Sequence, residues 1–77
     1  MHTTILLLLG ATVFDAAFAR ANEAYQSGDF QAAIGGYEQL VADGIVAAPL
    51  FHNLGNAYYR AGQLGAAIAN YERAIQV

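Results

Sequence analysis

The side chains able to do acid–base or nucleophilic chemistry are few: Asp15, Glu23, Asp29, Glu38, Asp43 and Glu72, with His2, His52 and Ser27. Two carboxylates held in contrasting environments would suffice for proton transfer. Glu38 and Glu72, however, recur at the same register 34 residues apart, which reads as a solvated outer face. His2 and His52 stand 50 residues apart, and Ser27 sits beside Gly28 with no histidine close in sequence. With no cysteine in the chain, thiolate zinc sites and cysteine nucleophiles are excluded. Gly35-Gly36 falls in the middle of a helical pattern, outside any phosphate-loop context, and reads as a place of close helix packing. The expectation is a chain that is not an enzyme and carries no cofactor and no metal.

The remaining polar chemistry is that of amides and phenols, which bind but do not react. Three arginines, no lysine and a net charge of −3 leave no clustered positive charge for phosphates, so nucleic acid is not an expected partner. Charged residues make up 12% of the 77, against about a quarter in an ordinary soluble domain. Either much of the surface should therefore be covered by a partner or another segment, or part of the chain belongs in a membrane. A single domain of this length rarely holds more than ~3–5 kcal/mol without a staple, and no disulfide is available here.

What positions these groups is a repeat. Shifted by 34 residues, 21–43 align with 55–77 at eight identities: Asn22/Asn56, Tyr25/Tyr59, Gly28/Gly62, Ala32/Ala66, Ala33/Ala67, Ile34/Ile68, Tyr37/Tyr71 and Glu38/Glu72. A period of 34 is that of a stacked helix–turn–helix unit. Asp15 is expected to cap a first helix ending near Ser27, with Gly28 taking the left-handed position beyond it. Asp29 caps a second helix to about Ala42, closed by Gly44. Pro49 suits the first turn of a third helix, which Gly62 ends near Ala61, and a fourth runs from about Leu64. No segment alternates like a half-buried strand. The class is all-α.

Antiparallel helices joined by a short turn must approach closely. Small residues are expected at the crossings, Gly55 against Ala67 and Ala21 against Ala33. The flanking core is read as Phe51, Leu54, Tyr58, Leu64, Ile68, Tyr71 and Ala74 in one unit, and Ala24, Phe30, Ile34, Tyr37 and Leu40 in the other, by their three- and four-residue spacing.

Leu54-Gly55-Asn56-Ala57-Tyr58-Tyr59, followed by Gly62, Ala67-Ile68, Tyr71 and Ala74, resembles a tetratricopeptide repeat; residues 21–40 resemble a weaker copy. The first helix of that copy departs from the pattern, with Ala17, Arg20 and Ala24 where Phe51, Leu54 and Tyr58 stand in the other. The resemblance implies tandem antiparallel hairpins, a fragment of a right-handed superhelix, with 15–47 as one unit and 48–77 as a second, cut short at its C-terminal end. The phrase Phe18-Ala19-Arg20-Ala21-Asn22-Glu23-Ala24-Tyr25, with Gly28-Asp29-Phe30, is similar to the tetratricopeptide proteins of bacterial aerotolerance (Bat) operons, BatE-like. Those proteins imply a bacterial cell-envelope setting.

In this architecture the first helix of each hairpin lines a concave groove. The candidate peptide- or protein-binding residues are therefore Phe18, Asn22, Tyr25, Gln26, His52, Asn53, Asn56, Tyr59 and Arg60. Amides can bond an extended main chain, tyrosines give flat area at low entropy cost, and Arg60 can pair with a carboxylate. Asn22 and Asn56 have the alternative role of bridging neighbouring helices. Some relatives clamp a terminal carboxylate with Asn and Lys on these helices. Asn22 and Asn53 match, but the chain lacks lysine and Phe18 replaces one clamp position.

Residues 1–14 form an apolar N-terminal segment, charge-free from 3 to 14, too short to span a bilayer as a helix. Followed by Ala17-Phe18-Ala19, it reads as a secretory signal or anchor, giving membrane association and a periplasmic or membrane-anchored location. The other reading is an extra packing helix, with a cytoplasmic location. At the other end, helix 64–77 should expose apolar surface: either the natural protein is longer and this is a piece of it, or copies associate through that face, and the alternative to a groove binder is then a structural module that self-associates into a homo-oligomer.

Overall fold

A computed structural model describes residues 15–77. Readings of residues 1–14 as signal, anchor or extra helix lie outside the described residues. Four helices follow one another: α1, helical over 15–26, α2 (Phe30–Ala42), α3 (Ala48–Arg60) and α4 (Leu64–Gln76). There is no strand among the described residues. The fold is all-α, two helical hairpins in tandem, as the period requires.

The two hairpin turns share one hydrogen-bond pattern. After α1, the Gly28 N–H donates to Tyr25 O and the Asp29 N–H to Ala24 O. After α3, the Gly62 N–H donates to Tyr59 O and the Gln63 N–H to Tyr58 O. Both glycines take positive φ, +85° and +81°, where a Cβ would be strained. Asp29 then starts α2, its carboxylate accepting from the Ala32 N–H at 3.2 Å. At the matching position Gln63 makes no side-chain cap. Pro49 lies in the first turn of α3, where its missing N–H costs nothing. Asp15 is itself helical, so it is not the cap expected, a role that requires non-helical backbone.

The core is one cluster across α1, α2 and α3: Ala21, Ala33, Ile34, Tyr37 and Leu40 meet Leu50, Leu54 and Ala57. Leu50 and Ala57, absent from the expected stripe, are fully buried. They cover α2, so α3 is buried against two neighbours where a lone hairpin would need one apolar stripe. At the first crossing Ala21 and Ala33 are both buried, and Ala21 also comes close to Gly36, where an added Cβ would lie 3.0 Å from the Ala21 methyl. Gly36 thus serves close packing, whereas Gly35 faces open space. At the second crossing the atoms nearest Gly55 belong to the ring of Tyr71.

Two expected core residues are on the surface. Leu64 is 54% and Ile68 58% exposed, although the equivalent Ile34 is 8% exposed. The difference is what lies on top: α3 covers this face of α2, whereas α4 packs on α3 by its other side and its matching face is not covered by a described helix. Ala24, Phe30, Tyr58, Tyr71 and Ala74 are half-buried.

Candidate functional site

The candidate residues lie on three elements. α1 supplies Phe18, Asn22, Tyr25 and Gln26, and α3 supplies His52, Asn53, Asn56, Tyr59 and Arg60; between them rises Tyr37 of α2. Since α1 and α3 stand one repeat apart, their matching faces lie side by side. Asn22, Tyr25, Gln26, Asn53 and Asn56 line one pocket with Tyr37, with a volume of about 240 Å³. Small-molecule sites usually span ~300–1,000 Å³, so this hollow suits a side chain or a short stretch of backbone.

Hydrogen bonds hold the pocket's asparagines in place. The Tyr37 hydroxyl donates to Asn22 Oδ1, which also accepts from Asn53 Nδ2 at 3.1 Å. One repeat on, the Tyr71 hydroxyl donates to Asn56 Oδ1 at 2.5 Å. Both tyrosines stand 15 residues after their asparagine. A hydroxyl donor fixes the amide with its oxygen toward the phenol and its NH₂ away from it. The Nδ2 groups of Asn22 and Asn56 make no hydrogen bond with the described residues. Burial pushes both phenols above their ordinary pKa, so they remain donors at any physiological pH. The bridging role weighed for Asn22 and Asn56 is therefore present, and it leaves their donors unused.

Four candidates lie outside that pocket. Phe18 packs on the Tyr37 ring, centroids 5.8 Å apart, and belongs to the margin of the core. His52 is exposed with its ring edge-on to Tyr71 at 5.8 Å. Arg60 lays its guanidinium 4.8 Å over Phe30, a cation–π contact. Tyr59 is 59% exposed. Periodicity assigns these residues to the same helix faces, and a face is wider than the cleft between two helices. Tyr37, expected in the core, has its ring there and its hydroxyl on Asn22 at the pocket. The recurrence of Asn and Tyr at one spacing in both units is the signal that would have found that bond.

The pocket's lining is neutral, without a carboxylate or a cation. It offers amide donors and acceptors and aromatic edges, the complement of a peptide main chain. No group of three or more His, Cys, Asp or Glu suited to a metal occurs among the described residues. Nor is any described helix long and apolar enough to cross a membrane.

Residues 48–77 match the family model of the tetratricopeptide repeat. The match covers α3 and α4, less than half of the chain; tetratricopeptide repeats generally mediate protein–protein interaction. No curated protein matches the chain.

Proposed function

We propose that the chain is a non-catalytic module that binds an extended, uncharged peptide segment of a protein partner in the cleft between α1 and α3. The observation that carries this reading is the pair of amides, Asn22 and Asn56, oriented alike by Tyr37 and Tyr71 with their NH₂ groups unused. Two preset donors on neighbouring first helices can each take a main-chain carbonyl of an extended strand, and holding them in advance lowers the entropy lost on binding. The neutral lining argues against capture of a terminal carboxylate, which would need a cation beside the amides.

The setting proposed is a bacterial envelope assembly of the BatE-like kind, with residues 3–14 as membrane anchor. Support comes from the charge-free run and the phrase around Phe18. Retention of the segment is the favoured form. Ala17 and Phe18 pack against the core, so cleavage after Ala19 would strip them from it.

Capture on an array of immobilised, uncharged 12-residue peptides tests the groove. Asn56→Ala should weaken capture about tenfold, as expected for loss of one to two hydrogen bonds, with the helical signal unchanged. Capture indifferent to Asn22→Ala and Asn56→Ala alike would remove the cleft as the site.

A further inference from the structure

The asparagine network of the pocket has a direction, and that direction decides which atoms it leaves unused. Asn22 Oδ1 accepts twice, from the Tyr37 hydroxyl and from Asn53 Nδ2. The Asn53 amide also bears on the Tyr37 phenol, where it opposes the upward push of burial on the pKa, as an N–H donor does. Asn53 therefore turns its NH₂ toward Asn22 and Tyr37. Its Oδ1 makes no hydrogen bond with the described residues, and neither does Asn22 Nδ2. No fully buried side-chain nitrogen or oxygen among the described residues lacks a partner, so these two unused atoms of half-buried residues are open to solvent. Two amides joined at 3.1 Å thus present a free donor and a free acceptor together, in a hollow whose lining carries no charge.

We propose that this pair reads the side chain of the bound peptide and selects a carboxamide, that of Asn or Gln. The carboxamide oxygen accepts from Asn22 Nδ2, and its NH₂ donates to Asn53 Oδ1. An amide nitrogen carries two hydrogens, so Asn22 can still serve a main-chain carbonyl, and Asn56 is left wholly to the main chain. The volume of about 240 Å³ is of side-chain size. A carboxylate of the same shape has no hydrogen for Asn53 Oδ1 and sets its charge against those lone pairs. An ammonium meets the Asn22 NH₂ donor to donor, and a thioether leaves both asparagines without a partner. The uncharged lining adds a desolvation cost for either ion. Selection of this kind rests on the cleft between α1 and α3 being the binding site, and it adds the class of residue that is recognised there.

The probes are fluorescent peptides built on the strongest binder of the uncharged array, which should itself contain Asn or Gln. They differ only at that residue, as the carboxamide, Glu and Met forms, and each is titrated with the full chain by anisotropy. The carboxamide form should bind about tenfold tighter than either of the others. Asn53→Ala in the chain should shrink that preference to about twofold, because the peptide's NH₂ then has no acceptor, as a double-mutant cycle reads directly. Asn56→Ala should weaken all three forms by the same factor. Thermal melts check that each variant is folded. Equal binding of the carboxamide and Met forms, both weakened by Asn56→Ala, would overturn the selection and leave the cleft standing, with main chain in the hollow. A carboxamide preference that survives Asn53→Ala would also overturn it. Failure of every peptide to bind would remove the cleft and the selection together.

Discussion

Gly55 lies under the ring of Tyr71, so close that a Cβ at position 55 would stand 2.7 Å from two ring carbons. The ring is pinned at its far end, where its hydroxyl donates to Asn56. It can move away only by breaking that bond. One glycine therefore sets the separation of α3 and α4 and, through Tyr71, the pose of an amide in the cleft.

Gly55→Leu should lower the melting temperature by roughly 4–24 °C, from overpacking of ~1–3 kcal/mol and ~4–8 °C per kcal/mol in a domain this small. Gly35→Ala should act oppositely. Nothing lies within 4 Å of a Cβ there, and alanine is ~1 kcal/mol better than glycine inside a helix. Thermal melts followed by circular dichroism check both, and a destabilising Gly35→Ala would contradict the open space at that position.

The hydroxyl of Tyr71 offers a finer probe of the cleft. Tyr71→Phe keeps the ring against Gly55 and removes only the donor that orients Asn56. Stability should fall by about 1 kcal/mol, while capture of uncharged peptides falls several-fold. Equal capture by both forms would show that orientation of Asn56 is not needed.

Alkaline pH should loosen the contact of α3 with α2. Burial first, then the hydrogen bond to Glu38 and the Glu38 charge, push the Tyr58 phenol up to about 12. Its ordinary value is near 10, so between pH 10 and pH 12 the unfolded chain releases a proton that the folded chain keeps. Stability contributed by Tyr58 is full below pH 10 and is lost as pH rises toward 12. Melting temperatures across that window should fall less steeply in Tyr58→Phe than in the parent, and parallel curves would contradict the assignment.

Helix starts differ between the two units in a way that can be exchanged. Asp29 caps α2 through the Ala32 N–H, whereas Gln63 leaves α4 without a side-chain cap. Asp29→Ala should cost ~0.5–2 kcal/mol and Gln63→Asp should recover about 1 kcal/mol, both within the usual range for N-caps. Denaturant melts give both values, and a neutral Gln63→Asp would mean that solvent already serves those N–H groups well.

Much of the architecture was legible from residue order alone. The 34-residue period gave two units, and Gly28, Asp29, Gly44, Pro49 and Gly62 marked the turns, because backbone conformation at those points is a local property of the residue. Leu64 and Ile68 were misplaced for the opposite reason. Their apolar spacing equals that of Phe30 and Ile34, and spacing shows which side of a helix is apolar without showing what covers it. The candidate residues were legible as a helix face; which of them line the hollow between α1 and α3, and that Phe18 and His52 lie against rings, depended on how the helices cross.

By itself, the order of residues determined the helices, their ends and the recurrence of Asn, Gly and Tyr at equivalent places, since each is governed by contacts a few residues apart or by a fixed period. Only the tertiary structure decided that a core tyrosine turns its hydroxyl to an asparagine 15 residues earlier. The same holds for Gly55 giving way to a ring where a methyl was expected, and for one of two like helix faces being covered by α3. Those outcomes depend on which helix lies across which, and short-range chemistry carries no record of that.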